Sequence, residues 1–141
     1  MLDFLPSRIA EAVRHININR LYELRIRADK PLRVNLDGVF CYLGMQGRAC
    51  CAEDALIPSQ QEVSDTLFAA SGYSVYSVAD QIKKGFVTGQ SGERIGIAGA
   101  FVYENGGTLS VHDVTSLCIR VPHAVEGCAE EIYTRCLADK M

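Results

Sequence analysis

Apolar and polar positions change period several times along the chain, and each change marks an element boundary. From Asp3 to about His15, residues Leu5, Ile9, Ala12, Val13 and Ile16 recur at helical spacing, and Pro6 suits a first helical turn. Over Tyr22 to Ala28, Leu24, Ile26 and Ala28 alternate with Glu23, Arg25 and Arg27, the period of a strand with one wet face. Asp29-Lys30-Pro31 reads as a turn. Leu32, Val34 and Leu36 alternate with Arg33 and Asn35, and Val39, Cys41 and Leu43 resume the alternation after Asp37-Gly38. Two such runs across Asp-Gly predict a tight hairpin, because that turn needs positive φ at both central residues. Gly44 to Pro58 has no period and is expected to be a loop.

Ser59-Gln60-Gln61-Glu62 is a capping-box sequence, with Val63, Leu67 and Ala70 continuing a helix that Gly72 ends. A second helix is expected at once, capped by Ser74 or Ser77, striped by Val75, Val78 and Ile82, and closed at Lys83-Lys84-Gly85. Phe86 to Thr88 begins a strand, Gln90 to Glu93 a turn, and Arg94 to Tyr103 a long strand. Asn105-Gly106-Gly107 predicts a tight turn. Leu109 to Val111 and Leu117 to Val121 read as strands around an irregular centre at His112-Asp113, with Pro122 ending the sheet. Ala129, Ile132, Tyr133, Cys136 and Leu137 mark a final amphipathic helix. Strand links this short exclude parallel crossovers, so the class is α+β with mainly antiparallel sheet flanked by helices. One domain over 1–141 is expected, with a small lobe at 1–45 and the main α+β part at 58–138.

Composition narrows the function classes. With 141 residues, 48% hydrophobic and 22% charged, the chain fits one ordinary globular core. A net charge of −3 gives no electrostatic argument for nucleic acid or lipid. No apolar run approaches the ~20 residues of a membrane span, and the N-terminus lacks the basic and apolar regions of a signal peptide, so a cytoplasmic domain without direct membrane insertion is expected. The cysteines at 41, 50, 51, 118, 128 and 136 form no C-x-x-C pair, and the three histidines are scattered, so no metal site is expected. Cys41 and Cys118, set in apolar alternation, read as small buried hydrophobes, and Cys50-Cys51 as ordinary loop thiols.

Candidate chemistry is thin. The spaced glycines Gly89, Gly92, Gly96 and Gly99 invite a phosphate-loop reading, but no G-x-x-x-x-G-K-[ST] string occurs, and they run into a strand rather than a helix. Turn and strand glycines are the better reading. Ser110, His112 and Asp113 make a poor triad, because neighbouring strand residues project to opposite faces. Catalytic residues are therefore not expected. Arg25, Arg27, Arg94 and Arg120 stand out. Set in strand patterns opposite aliphatic residues, they are either a polar sheet face with carboxylate partners or rigidly mounted guanidiniums for phosphate supplied from elsewhere.

The runs Glu23 to Val34, Ser71 to Thr88, Gly92 to Gly99, and Ser116 to Val121 with Val125 to Ala129 together resemble, in order, the front part of the stage III sporulation protein AA family. Glu93 and Cys118 stand where that pattern has His and Asn. The resemblance implies a motor ATPase related to those of type II and type IV secretion and pilus retraction, working on the mother-cell side of the forespore membrane. It implies ATP and magnesium for the full-length family, a P-loop domain after a segment like Val125 to Leu137, and neighbouring subunits in a ring, usually hexameric. Membrane channel proteins of the sporulation complex are the implied partners, with no nucleic acid. By the same resemblance this chain is a PAS-like, non-catalytic N-terminal domain. Arg94 and Arg120 would face nucleotide held by the P-loop domain, and Arg25 and Arg27 would sit at an interface. The alternatives are a stand-alone interaction domain and a PAS-like ligand sensor.

Overall fold

The alternating segments pair into one antiparallel sheet, seen in a computed structural model that describes residues 1–73, 81–104 and 108–138, with side chains at all of these except 101–104, 108–112 and 138. The strands are β1 (Leu21–Arg27), β2 (Arg33–Leu36), β3 (Val39–Gly44), β4 (Gly47–Ala49), β5 (Phe86–Thr88), β6 (Arg94–Glu104) and β7 (Thr108–Arg120), in spatial order β4-β3-β2-β1-β7-β6-β5. A meander from the first half of the chain is thus zipped onto a meander from the second half through β1 and β7. The sheet runs unbroken across 1–45 and 58–138.

Two helices cover one face. α1 (Ser7–Arg14) buries Ile9, Ala12 and Val13, and α2 (Gln60–Ala70) buries Val63, Thr66, Leu67 and Ala70. Beneath them one cross-strand row runs Val87, Ile95, Ile119, Leu24, Val34 and Cys41. The first five of these are fully buried. Their burial is the main driving force, at about 1.5–3 kcal/mol for each large aliphatic side chain.

Local chemistry explains the joints. Asp37 (φ 51°) and Gly38 (φ 88°) adopt the expected positive-φ turn between β2 and β3. At α2 the Ser59 side chain accepts from the Glu62 N–H at 3.1 Å, while Glu62 Oε2 accepts from the Ser59 N–H at 2.8 Å. Arg8 of α1 grips the same carboxylate with two bonds, Nε to Oε1 at 3.0 Å and Nη2 to Oε2 at 2.7 Å. One carboxylate therefore caps α2 and ties the two helices together.

One expectation needs correction and two gain detail. Gly44 to Pro58 is not an aperiodic loop: it holds the edge strand β4 and a 310 turn at Ala52–Asp54. A three-residue strand is too short to show a period. The irregular centre expected at His112-Asp113 is present, but as a slip in pairing within one strand. β7 is continuous, and its partner register slips once at Thr115 and once at His112, two bulges facing Gly99 and Ala100–Phe101. The extra Thr115 carbonyl accepts from the Ala28 N–H at 2.9 Å and so finishes β1. The final amphipathic helix exists as α3 (Glu130–Ala138), but Ile132 and Tyr133 stay about two-thirds exposed, so its stripe is not part of this core. The expected start of the second helix at Ser74 or Ser77 and the Asn105 turn lie outside the described residues. Residues 81–83 are helical and end at Gly85 (φ 79°).

A Cβ on Gly99 would overlap the Asp113 carbonyl and lie 2.8 Å from Val114 Cα, whereas one on Gly96 would meet Cys118 at an ordinary 3.8 Å. Gly99→Ala is therefore expected to destabilise by roughly 2–3 kcal/mol, and Gly96→Ala by less than about 0.5 kcal/mol, in chemical denaturation. A second prediction concerns pH. The hydrogen bond from Arg8 holds the Glu62 carboxyl below its ordinary 4.5. The folded state thus takes up this proton less readily than the unfolded chain. The associated stability is full above that ordinary value and is lost as pH falls through the lower folded value. Glu62→Gln is expected to cost about 1 kcal/mol at pH 7, since Arg8 is half-exposed, with the difference from wild type shrinking below pH 4.5 in pH-dependent melts.

Candidate functional site

The face of the sheet opposite the helices carries the arginines. Because side chains alternate along each strand, the residues between the buried ones form their own cross-strand rows. One row reads Thr88, Arg94, Arg120, Glu23, Asn35 and Phe40. The next reads Phe86, Gly96, Cys118, Arg25, Arg33, Tyr42 and Ala49, and a third holds Ala98, Ser116 and Arg27. These rows bring together all four arginines singled out from the sequence and add a fifth, Arg33. Glu23 is their one carboxylate. A chain with net charge −3 thus concentrates positive charge on one face.

Glu23 is the anchor. Its side chain is only 13% exposed; it is bonded by Arg25 and lies 3.9 Å from Arg120, which is 70% exposed. Aromatic rings position the other guanidiniums. Arg25 lies 4.3 Å above the Phe40 ring, Arg33 sits 5.3 Å from Phe40 and 5.7 Å from Tyr42, and Arg94 lies 5.0 Å above Phe86. Stacking of this kind limits rotamer freedom while leaving the N–H edge of the guanidinium open. Among the described residues no carboxylate reaches Arg27, Arg33 or Arg94. Arg94 and Arg120 face each other directly across β6 and β7. Like charges in that arrangement repel unless an anion lies between them.

Cys118 lies in the middle of this face, half-buried rather than in the core, so its expected role as a core hydrophobe is corrected. Its neighbour Gly96 leaves a dent beside it. Burial first, and then the Glu23 carboxylate, push its thiol up, against the opposing effect of Arg25 and Arg120. Cys41, on the core side, is also half-buried.

The glycine turn is closed to phosphate. Glu93 is buried at 1% exposure, and its Oε2 accepts from the Ser91 N–H at 3.1 Å. The Gly89 N–H donates to the Glu93 carbonyl at 2.7 Å, and the Gly92 N–H to the Gly89 carbonyl at 3.1 Å. The amides that would cradle an anion are already spent on the turn. Glu93 Oε1 also accepts from the Leu2 N–H at 3.2 Å, which fastens the N-terminus to the turn before β6. Side chains of Ser110 and His112 lie outside the described residues. Among the described residues no group of three or more metal-ligating side chains converges, and no helix is long and apolar enough to cross a membrane.

Sequence reasoning missed Glu23 as the shared anchor, Arg33, and the rings of Phe40, Tyr42 and Phe86. Arg33 was visible in the alternation; the rings were not, because only strand order places them under arginines.

The profile of the family described as "Sporulation stage III, protein AA" matches residues 3–141. Stage III sporulation protein AA of Bacillus subtilis (strain 168) is 32% identical over 133 residues, covering 92% of this chain. The chain spans about 40% of the length of that curated relative. No solved structure matches the chain.

The Cys118 environment yields a prediction. At neutral pH Cys118 is expected to be alkylated by iodoacetamide more slowly than the exposed Cys128 and Cys136. Glu23→Gln removes one of the causes of its raised pKa, so the midpoint of its rate–pH profile should move to lower pH, as read by mass spectrometry of the labelled peptides. An unmoved midpoint would contradict the assigned contact.

Proposed function

The chain belongs to the sporulation stage III protein AA family and has a role in sporulation; from that premise we propose that it is the non-catalytic, PAS-like assembly and regulatory domain of a motor ATPase that energises a channel between mother cell and forespore. Its partners are a P-loop ATPase domain, neighbouring subunits of a ring, and membrane channel proteins at the mother-cell side of the forespore membrane.

The observation that carries this reading is the Arg94–Arg120 pair on an open, rigid face. The sequence holds no lysine-bearing phosphate loop, and its glycine turn is internally bonded. What the face supplies is guanidinium groups, which bind phosphate oxygens through paired N–H donors and keep their charge at any physiological pH. That donor set fits the phosphates of ATP and not magnesium, which needs oxygen ligands. ATP and its magnesium would therefore be held by the P-loop domain. Arg94 and Arg120 would meet the triphosphate from outside, where a positioned cation stabilises charge developing during phosphoryl transfer. Arg25 and Arg27, along the same face, would contact the surface that carries the nucleotide.

The test uses fluorescent ATP analogues and phosphate-release assays. The chain alone is expected to show no saturable nucleotide binding. In the full-length protein, Arg94→Ala and Arg120→Ala are each expected to lower ATP turnover by at least about tenfold, with Lys30→Ala as an exposed control. Unchanged turnover and nucleotide affinity in both variants would refute the role.

A further inference from the structure

The edge of the sheet places two cysteines at the end of one ladder and in one pocket. β3 and β4 pair Gly44 with Gly47, Leu43 with Arg48 and Tyr42 with Ala49, where the ladder ends, and Cys41 and Cys50 follow that last pair directly. The Leu43 N–H donates to the Leu32 carbonyl at 3.0 Å, and its own carbonyl accepts from the Leu56 N–H at 2.9 Å. The backbone groups of Leu43 thus point away from β4, and Leu43–Arg48 is a non-hydrogen-bonded pair. Extending the ladder by one pair would give Cys41 and Cys50 the same type of position. Such pairs bring Cα atoms to about 4.5 Å, inside the ~4.4–6.8 Å that a disulfide spans. Both cysteines line one surface pocket, together with Arg33 and Arg48. Cys50 is exposed and Cys41 half-buried, and both are free thiols here.

We propose that Cys41 and Cys50 form a reversible thiol–disulfide switch that clamps the edge strand β4 to β3. The oxidant is a low-molecular-weight disulfide, and anionic ones are drawn to the pocket by Arg33 and Arg48. Cys50 gives up its proton, and its sulfur attacks one sulfur of the disulfide. The first small thiol leaves, taking up that proton, and a mixed disulfide remains on Cys50. Cys41 then loses its proton and attacks the Cys50 sulfur, releasing the second small thiol. Two protein thiols lose two electrons, and the small disulfide gains them. Cys51 is the poorer nucleophile. Its sulfur lies 3.1 Å from Asp54 Oδ2, and that hydrogen bond pushes its thiol up. The closed link fixes β4, an edge strand held to β3 by a ladder of only three pairs.

The protein is incubated with oxidised glutathione, and non-reduced tryptic peptides are examined by mass spectrometry. Cys41 lies in the peptide 34–48, and Cys50 and Cys51 lie in the peptide 49–83. Cross-linking of these two peptides is expected in wild type and in Cys51→Ser, and its loss in Cys50→Ser. Proteolysis within 45–50 should slow roughly fivefold on oxidation and recover with dithiothreitol. A cross-link that survives in Cys50→Ser, a Cys50–Cys51 disulfide as the sole product, or a Cys41 that stays free in the folded, oxidised protein would overturn the proposal.

Discussion

Pairing of β1 with β7 is the constraint on which the rest of the molecule depends. It joins residues about one hundred positions apart, and its register, Leu24 with Ile119 and Arg25 with Cys118, decides both faces at once. A slip of one residue would turn Leu24 and Ile26 to solvent and bury Arg25 and Arg27. Burial of Leu24, Ile26, Leu117 and Ile119 under α1 and α2 prevents that slip. The arginine face is thus held open by the hydrophobic face behind it. The loop-closure entropy of such a distant pairing is the chief cost of this topology, and it makes the joining of the two meanders the slow, committing event.

Charge on the open face is balanced locally and incompletely. Glu23 serves Arg25 and Arg120, and aromatic rings hold Arg25, Arg33 and Arg94 without neutralising them. Pre-positioned guanidiniums lose little rotamer freedom on meeting an anion, which supports the proposed contact with phosphate held by another domain. The same reasoning sets its limit. With no backbone cradle and no lysine on a phosphate loop, the face contributes charge and geometry but does not enclose a ligand. The net charge of the chain conceals this, because it averages the basic sheet face with acidic residues elsewhere.

Much of the architecture was legible in local sequence. Period-two alternation located β1, β2, β3 and β6, Asp37-Gly38 located the hairpin, and Ser59 with Glu62 located the start of α2, because each of these signals acts within a few residues. The elements that escaped lack such signals. β4 is three residues long, and the bulges at Thr115 and His112 are differences between two strands rather than properties of one. Glu93 looked like a turn carboxylate, yet it is buried against the N–H of Leu2 from the far end of the chain. The spacing located α3, but amphipathic spacing says which face is apolar and not what covers it, and this stripe is exposed.

The candidate site divides in the same way. Sequence alone determined that Arg25, Arg27, Arg94 and Arg120 project opposite aliphatic residues, that no phosphate loop exists, and that the class is α+β, because side-chain alternation and turn chemistry are local. Only the tertiary structure decided that these arginines share one face, that Arg94 stands against Arg120, that Glu23 anchors them, and that Cys41 and Cys50 line one pocket at the edge. Those facts depend on strand order and register, which are set by how distant apolar rows pack together.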